Sequence, residues 1–259
     1  MKDMKNTFFL LGGYDLEMLE IRDLLEKQKV TYFDNQLRWD NAFLNQYTDI
    51  LPSYSKCKNT TIYGIELQEQ GVTCIPENYI RIDHHNDYNS KPSSLQQVAD
   101  ILGVSLNRYQ QLVAANDSGY IPAMQALGAT PVEIMEIRRK DRAAQGVTEK
   151  DELLAEKAIL EKSIKNNIII IKAYSSRFSP ICDRLYPYRQ LLIYTDDELM
   201  YYGEGKKLLT KKFTEEIKDG KMFHGGSDNG YLGTVKGIFS KEEIIILKEN
   251  IKSYLTLNS

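Results

Sequence analysis

The sequence predicts an α/β protein: a mainly parallel sheet flanked by helices, joined by further helices to a smaller α/β C-terminal domain. Three observations predict it. Up to Ile82, short apolar runs alternate with helical spacing; residues 93–165 turn helical; from Ile168 short apolar runs return, ahead of a glycine-rich stretch and a terminal helix. The expected boundaries are 1–130 for the first domain, 131–165 for the connecting helices and 166–259 for the second domain.

Each element has its own signal. Residues 7–11 (TFFLL) form an apolar run closed by Gly12-Gly13, a buried strand ending in a turn. Leu16, Leu19, Leu24 and Leu25 then recur at helical spacing up to Lys29, and residues 30–33 predict the next strand. Two more strands are expected at 61–67 (TIYGIEL) and 79–82 (YIRI), the second running straight into Asp83-His84-His85. Ser93-Ser94 starts a helix ending near Gly103, and Ser105 is the expected cap of one that reaches Asn116. Thr130-Pro131-Val132-Glu133 combines a capping oxygen, a proline at the first helical position and a first-turn acid. Thr148 with Asp151 opens another helix through Leu153, Leu154, Ala158 and Ile159. Residues 168–171, 190–194 and 199–202 read as strands, with 195–198 a hairpin loop between the last two. A glycine-rich segment, 225–237, precedes a helix from Ser240 in which Glu243 completes a capping box.

The composition narrows the function. With 259 residues, 42% hydrophobic and 27% charged, the chain can bury real cores, and apolar residues recur along its whole length, which excludes a disordered tether. No uninterrupted run of about 18 apolar residues is present, so no membrane span is expected. The apolar run near the N-terminus is too short for a signal-peptide core, and a cytoplasmic location is the expectation. Cys57, Cys74 and Cys182 are spaced for neither a disulfide framework nor a zinc site. A net charge of −3 argues against a grip on long duplex nucleic acid, whose affinity rests on phosphate neutralisation. Arg138-Arg139-Lys140 and Lys211-Lys212 are short and set among acids, as on solvated helix faces.

The chemistry concentrates in the first domain. Neutral imidazole is a common transition-metal ligand, and His84 and His85 leave a strand beside a carboxylate, Asp83, able to fix a tautomer. The plainer alternative is a loop whose histidines bond to nearby backbone. Asp15 and Glu17 follow the first strand and belong at the same sheet edge. Glu66 ends a later strand, where a buried acid needs a partner or an ion. Asp117 lies in Ala114-Ala115-Asn116-Asp117-Ser118-Gly119-Tyr120, where a helix is expected to stop. Singly, Asp15 reads as a helix cap, Glu17 as a solvated first-turn acid and Asp117 as a turn residue. Together, four carboxylates and a histidine at element ends are what a pair of Mn2+ or Mg2+ ions requires.

The order of these motifs resembles the DHH phosphoesterase family, of the kind with a DHHA1-type C-terminal domain. The triplet is Asp83-His84-His85; Asp15-Leu16-Glu17 matches the acid-x-acid after strand one; Glu66 takes the place of the acid after a later strand; Ala114 to Gly119 matches the Ala-x-x-Asp-(Thr/Ser)-Gly motif. His224-Gly225-Gly226-Ser227 resembles the C-terminal glycine motif that contacts substrate. Leu11 stands where family members usually carry histidine, Glu17 and Glu66 stand for the usual Asp, and the glycine–histidine order is rearranged.

The resemblance implies hydrolysis of a phosphodiester by water activated on two ions or one, with Asp15, Glu17, Glu66, His84 and Asp117 as ligands. It implies Glu66 as the bridge, His85 aimed at the phosphate or the water, and Asp83 bracing the loop. It implies His224, Gly225, Gly226 and Ser227 at the substrate. The implied substrates are short oligonucleotides or small, including cyclic, dinucleotides, released as mononucleotides. The departures keep two rivals open: a non-catalytic nucleotide-binding or sensing module on the same scaffold, and a small-molecule phosphatase or pyrophosphatase.

Overall fold

Two sheets organise the chain, one in each of two compact units, Met1–Gly146 and Val147–Ser259. The computed structural model describes residues 6–55, 59–72, 74–226 and 228–258, so Ser227 and Cys57 lie outside the described residues. Among the described residues no helix is long and apolar enough to cross a membrane.

In the first unit β1 (Thr7–Leu10), α1 (Leu16–Lys27), β2 (Thr31–Phe33), α2 (Leu51–Ser55), β3 (Thr61–Ile65) and β4 (Tyr79–Ile82) precede α3 (Ser94–Leu102), α4 (Arg108–Ala126) and α5 (Pro131–Ala144). The four strands are parallel and ordered β2-β1-β3-β4. Chain order reverses between β1 and β3, which opens a crevice beyond their carboxyl ends, where sheets of this kind take ligands. Phe8, Phe9 and Leu10 are all buried, as expected of a parallel strand covered on both faces. Phe8 and Leu10 pack with Leu44, Tyr47, Ile62 and Leu67, while Phe9 stacks on Tyr63. Helix α1 buries Leu16, Met18, Ile21, Leu24 and Leu25. Fully buried aliphatic side chains such as Ile21 and Leu25 contribute roughly 1.5–3 kcal/mol each.

The second unit runs α6 (Glu149–Leu160), β5 (Ser163–Lys165), β6 (Ile168–Lys172), α7 (Ser179–Leu185), β7 (Gln190–Tyr194), β8 (Leu199–Gly203), α8 (Lys206–Lys212), α9 (Thr214–Lys218), β9 (Met222–Gly225), β10 (Tyr231–Thr234) and α10 (Lys241–Leu257). Its sheet is mixed, ordered β5-β6-β7-β8-β10-β9, with β6 and β7 the parallel pair. Side chains alternate between two cores: Ile170 and Leu192 meet Ile244, Leu247 and Ile251 of α10, whereas Ile171, Leu191 and Ile193 meet Ala155, Ala158 and Phe178.

The observed architecture is the α/β one expected, and two local expectations are corrected. Asn107, not Ser105, caps α4, because its side chain accepts from Gln110 N while Gln110 bonds back to Asn107 N. That helix does not end at Asn116; helical dihedrals break at Gly119 and Tyr120 and then resume to Ala126. The glycine-rich segment contains β10, which pairs antiparallel with β9 just ahead of it. The helices of 131–165 divide between the units: α5 belongs to the first and α6 to the second.

Candidate metal centre

The carboxyl ends of β1, β3 and β4 meet so closely that residue types there are dictated by backbone. A Cβ on Gly12 would stand 2.3 Å from the Ile65 carbonyl oxygen and 2.8 Å from that of Glu66, so only glycine lets β1 end beside β3. Glu66 itself, one residue past β3, takes φ +53, and its N–H donates to Ile82 O at 2.8 Å. That left-handed turn stores roughly 1–3 kcal/mol in a non-glycine residue.

Four segments deliver the polar side chains. After β1, Asp15 caps α1, its Oδ1 accepting from Met18 N at 2.9 Å. Glu17, in the first turn, is buried; its Oε1 accepts from Leu95 N at 3.0 Å, satisfying a free N–H in the first turn of α3. After β3, Glu66 Oε1 accepts from the buried Ser94 hydroxyl at 2.7 Å. After β4, the rings of His84 and His85 lie 4.2 Å apart. From α4, Asp117 arrives just ahead of the helix break. That break puts Tyr120 at φ +59, under the Arg138 guanidinium 4.6 Å from its ring; Arg138 also donates to Asn116 Oδ1 at 2.9 Å and Asp141 Oδ2 at 2.7 Å.

Of these, Glu17, Glu66 and Asp117 converge on His84. Its Nε2 lies 2.6 Å from Asp117 Oδ2, 3.2 Å from Glu66 Oε1 and 3.5 Å from Glu17 Oε2, while His85 Nε2 lies 3.5 Å from Glu66 Oε1. Glu66, His84, His85 and Asp117 each offer a ligand atom within 4.8 Å of the others. Despite these distances, Glu17 Oε2, His84 Nε2, His85 Nε2 and Asp117 Oδ2 are buried without a hydrogen bond of acceptable angle. Buried polar atoms are ordinarily paired, and a cluster of unpaired ones facing a shared volume could hold a cation. Mixed imidazole and carboxylate donors suit a divalent ion between hard and borderline, so the residues present fit Mn2+ or Mg2+.

The electrostatics agree. Burial and the neighbouring Asp117 push Glu17 up to about 8, and burial with Asp117 and Glu66 raises Asp15 well above the carboxylate range. Burial alone would raise Glu66 too, but the His84 and His85 contacts hold it down to about 2. His84 is the converse: burial favours its neutral form, yet Asp117, Glu17 and Glu66 push it up to about 12. The cluster holds more carboxyl groups than imidazoles, so burial and mutual repulsion favour protons on Asp15 and Glu17, and a divalent cation would take the place of a proton on His84.

The other site residues expected from sequence fall elsewhere. Asp83 does not face the cluster through free oxygens: Oδ2 accepts from Arg81 Nε at 3.0 Å and Oδ1 from His85 N at 2.8 Å, so it braces the loop. In the second unit, His224 is exposed on β9. Gly225, Gly226 and Gly230 answer a packing need of the hairpin, since a Cβ on Gly230 would meet the Gly225 carbonyl at 2.1 Å and Gly226 takes φ +69. Gly226 O accepts from the buried Lys206 Nζ at 3.2 Å. Sequence reasoning missed Ser94 and the Arg138–Asn116 bond. Ser94 looks like any helix-start serine, and nothing local says its hydroxyl meets an acid 28 positions away.

No protein-family model matches the chain, and no curated protein does. Among solved structures, the DHH domain of a member of the s1p family of ribosomal proteins shares the fold, at TM-score 0.51 and 12% identity, covering 98% of this chain and 87% of that one. A pGpG-specific phosphodiesterase from Vibrio cholerae (TM-score 0.48, 13% identity, 96% of this chain and 98% of that one) is also similar. So is RecJ from Thermus thermophilus, in complex with Mg2+ (TM-score 0.45, 12% identity, 96% of this chain and 49% of that one).

Proposed function

We propose that this DHH-domain fold carries a Mn2+-dependent (or Mg2+-dependent) phosphodiesterase, which hydrolyses short oligonucleotides or small, including cyclic, dinucleotides to mononucleotides. The observation that carries it is the convergence of unpaired buried donor atoms from Glu17, His84, His85 and Asp117 at the sheet's carboxyl edge. Fold similarity supplies context and not the activity.

Glu66, His84, His85 and Asp117 would hold the cation, with Glu17 next in reach and Asp15 capping α1 through one of its oxygens. When bound, such an ion lowers the pKa of water towards about 7 and offsets charge on the phosphoryl oxygens. The chain's own residues supply position. Ser94 fixes the Glu66 carboxylate, Leu95 N fixes Glu17, and Asp83 holds the His85 backbone. In the second unit His224, Gly225 and Gly226, with Ser227, are proposed to meet the nucleotide end of the substrate.

The test is purified protein with Mn2+ and a panel of linear and cyclic dinucleotides. Mononucleotide release that falls by at least about 100-fold in His84→Ala and Asp117→Ala is expected, since losing even a hydrogen-bond partner of a metal ligand costs about 10–100-fold. Equal release by wild type and both variants would remove the reading.

Two observations favour a second reading, a nucleotide-binding module without catalysis. Leu11 is a buried apolar residue beside the cluster's first strand, and one Asp15 oxygen is spent on capping α1. Mn2+-dependent release of mononucleotides separates the two, since the module binds nucleotide without cleaving it and the hydrolase cleaves it.

A further inference from the structure

Beside the cluster, a cavity of about 710 Å³ runs from Glu66 and His85 out past Trp39, Gln68, Glu69 and Tyr88. It opens among the chain segments that follow β2, β3 and β4. Trp39, the chain's single tryptophan, leaves 41% of its surface open there. An indole buries a large area when a fold has use for it, and an exposed one beside a candidate reaction centre calls for a partner.

The ring is held in place. A Cβ on Gly13 would stand 2.5, 2.6 and 2.7 Å from Trp39 Cδ2, Cε2 and Cε3. Near-equal distances to the fused ring carbons place residue 13 over one indole face, which explains the second glycine of the pair. The His85 ring meets Trp39 edge-to-face, with centroids 5.5 Å apart. One face is therefore covered by residue 13, and 41% of the Trp39 surface stays exposed along the cavity.

The rest of the wall suits a base better than a second phosphate. Arg81, the guanidinium among the lining residues, is bound by Asp83, while Glu69 and Asp87 add negative charge. A phosphate would be repelled there. A planar, uncharged ring with N–H donors would be accepted.

We propose that this cavity is a nucleobase subsite in which the base of a nucleotide stacks on the exposed surface of Trp39, with its phosphate towards His85 and Glu66. The inference deepens the hydrolase reading and rests on it for the placing of the phosphate, but stacking itself needs no catalysis.

Because Trp39 is unique, its fluorescence reports the event directly. Wild-type protein is titrated, without metal, with adenosine, guanosine and ribose 5-phosphate. Saturable quenching by the nucleosides and none by the base-free sugar phosphate is expected. With Mn2+ and a dinucleotide, Trp39→Ala should raise KM by about tenfold with kcat within about twofold, as loss of one base–aromatic stack implies. Trp39→Phe keeps a ring over Gly13 and should restore most of the loss, which guards against a misfolded alanine variant. Nucleosides that leave the fluorescence unchanged while dinucleotide hydrolysis persists overturn the subsite and leave the hydrolase standing. Quenching without hydrolysis supports the subsite and removes the hydrolase.

Discussion

The two units solve the problem of burying polar atoms in opposite ways. In the second, hydrogen bonding is nearly closed: Glu198 Oε1 is the buried side-chain atom without a partner among its described residues. In the first there are six among the described residues, four of them, on Glu17, His84, His85 and Asp117, at the carboxyl edge of the sheet, and the backbone nearby is strained at Glu66 and Tyr120. A fold that satisfies its polar atoms in one half and leaves a knot of them unsatisfied in the other could hold a cation at the knot. Unpaired groups and strain persist only where the surrounding structure over-determines them.

The largest test removes the knot. Asp117→Asn keeps the shape and deletes one negative ligand; Mn2+-dependent hydrolysis should fall by at least about 100-fold while circular dichroism stays unchanged. Next comes the ion itself. Mn2+ at a hundredfold excess over its dissociation constant should stabilise the wild type by about 2.7 kcal/mol, read as a rise in Tm that chelation reverses. The same addition should leave His84→Ala unmoved. If it raises the melting temperature of that variant equally, the two units differ less than their hydrogen bonding implies.

Smaller changes sharpen the contrast. Gly12→Ala and Gly230→Ala each drive a Cβ into a carbonyl oxygen, at 2.3 and 2.1 Å, and each should cost about 1–3 kcal/mol in denaturant titration. Only Gly12→Ala, which displaces the Glu66 backbone, should also lower the Mn2+-induced stabilisation. Thr130→Ala in α5 and Thr148→Ala in α6 should cost about 1 kcal/mol each, with no difference between units, since both remove one capping oxygen.

The smallest effect is acid sensitivity at those same caps. The Arg108 ion pair and Thr130 hold Glu133 down to about 2, and the Ser175 and Thr148 hydroxyls do the same for Asp151. A depressed carboxylate stabilises the fold above its unfolded pKa and loses that contribution as pH falls through the folded value. Both caps should therefore weaken between about pH 4.5 and 2, and Glu133→Gln and Asp151→Asn should each flatten the acid limb of a melting curve.

The strands of the first sheet were legible because each is a short apolar run beside a turn residue, and the Thr130, Thr148 and Ser240 caps because the partners lie three residues apart. The Asp83-His84-His85 triplet was legible for the same reason of proximity. The glycine-rich C-terminal segment was not, since strands β9 and β10 are carried by few β-branched residues and by glycines that admit a neighbour: Gly233 against Met200, Gly225 against Tyr231. The Asn107 cap was missed because serine at 105 offered an equally good local signal, which only the return bond from Gln110 decides.

By itself the sequence determined the α/β class, the order of the candidate ligands and the helix starts, all of which depend on sterics and hydrogen bonds between near neighbours. Tertiary structure alone decided that Glu66 leans on Ser94 and Glu17 on Leu95 N, that Asp83 faces Arg81 instead of the cluster, and that Trp39 lies over Gly13. The physical reason is the strand order. Placing β1 between β2 and β3 brings side chains up to a hundred positions apart to one edge, and which atoms then meet is set by packing that no local pattern encodes.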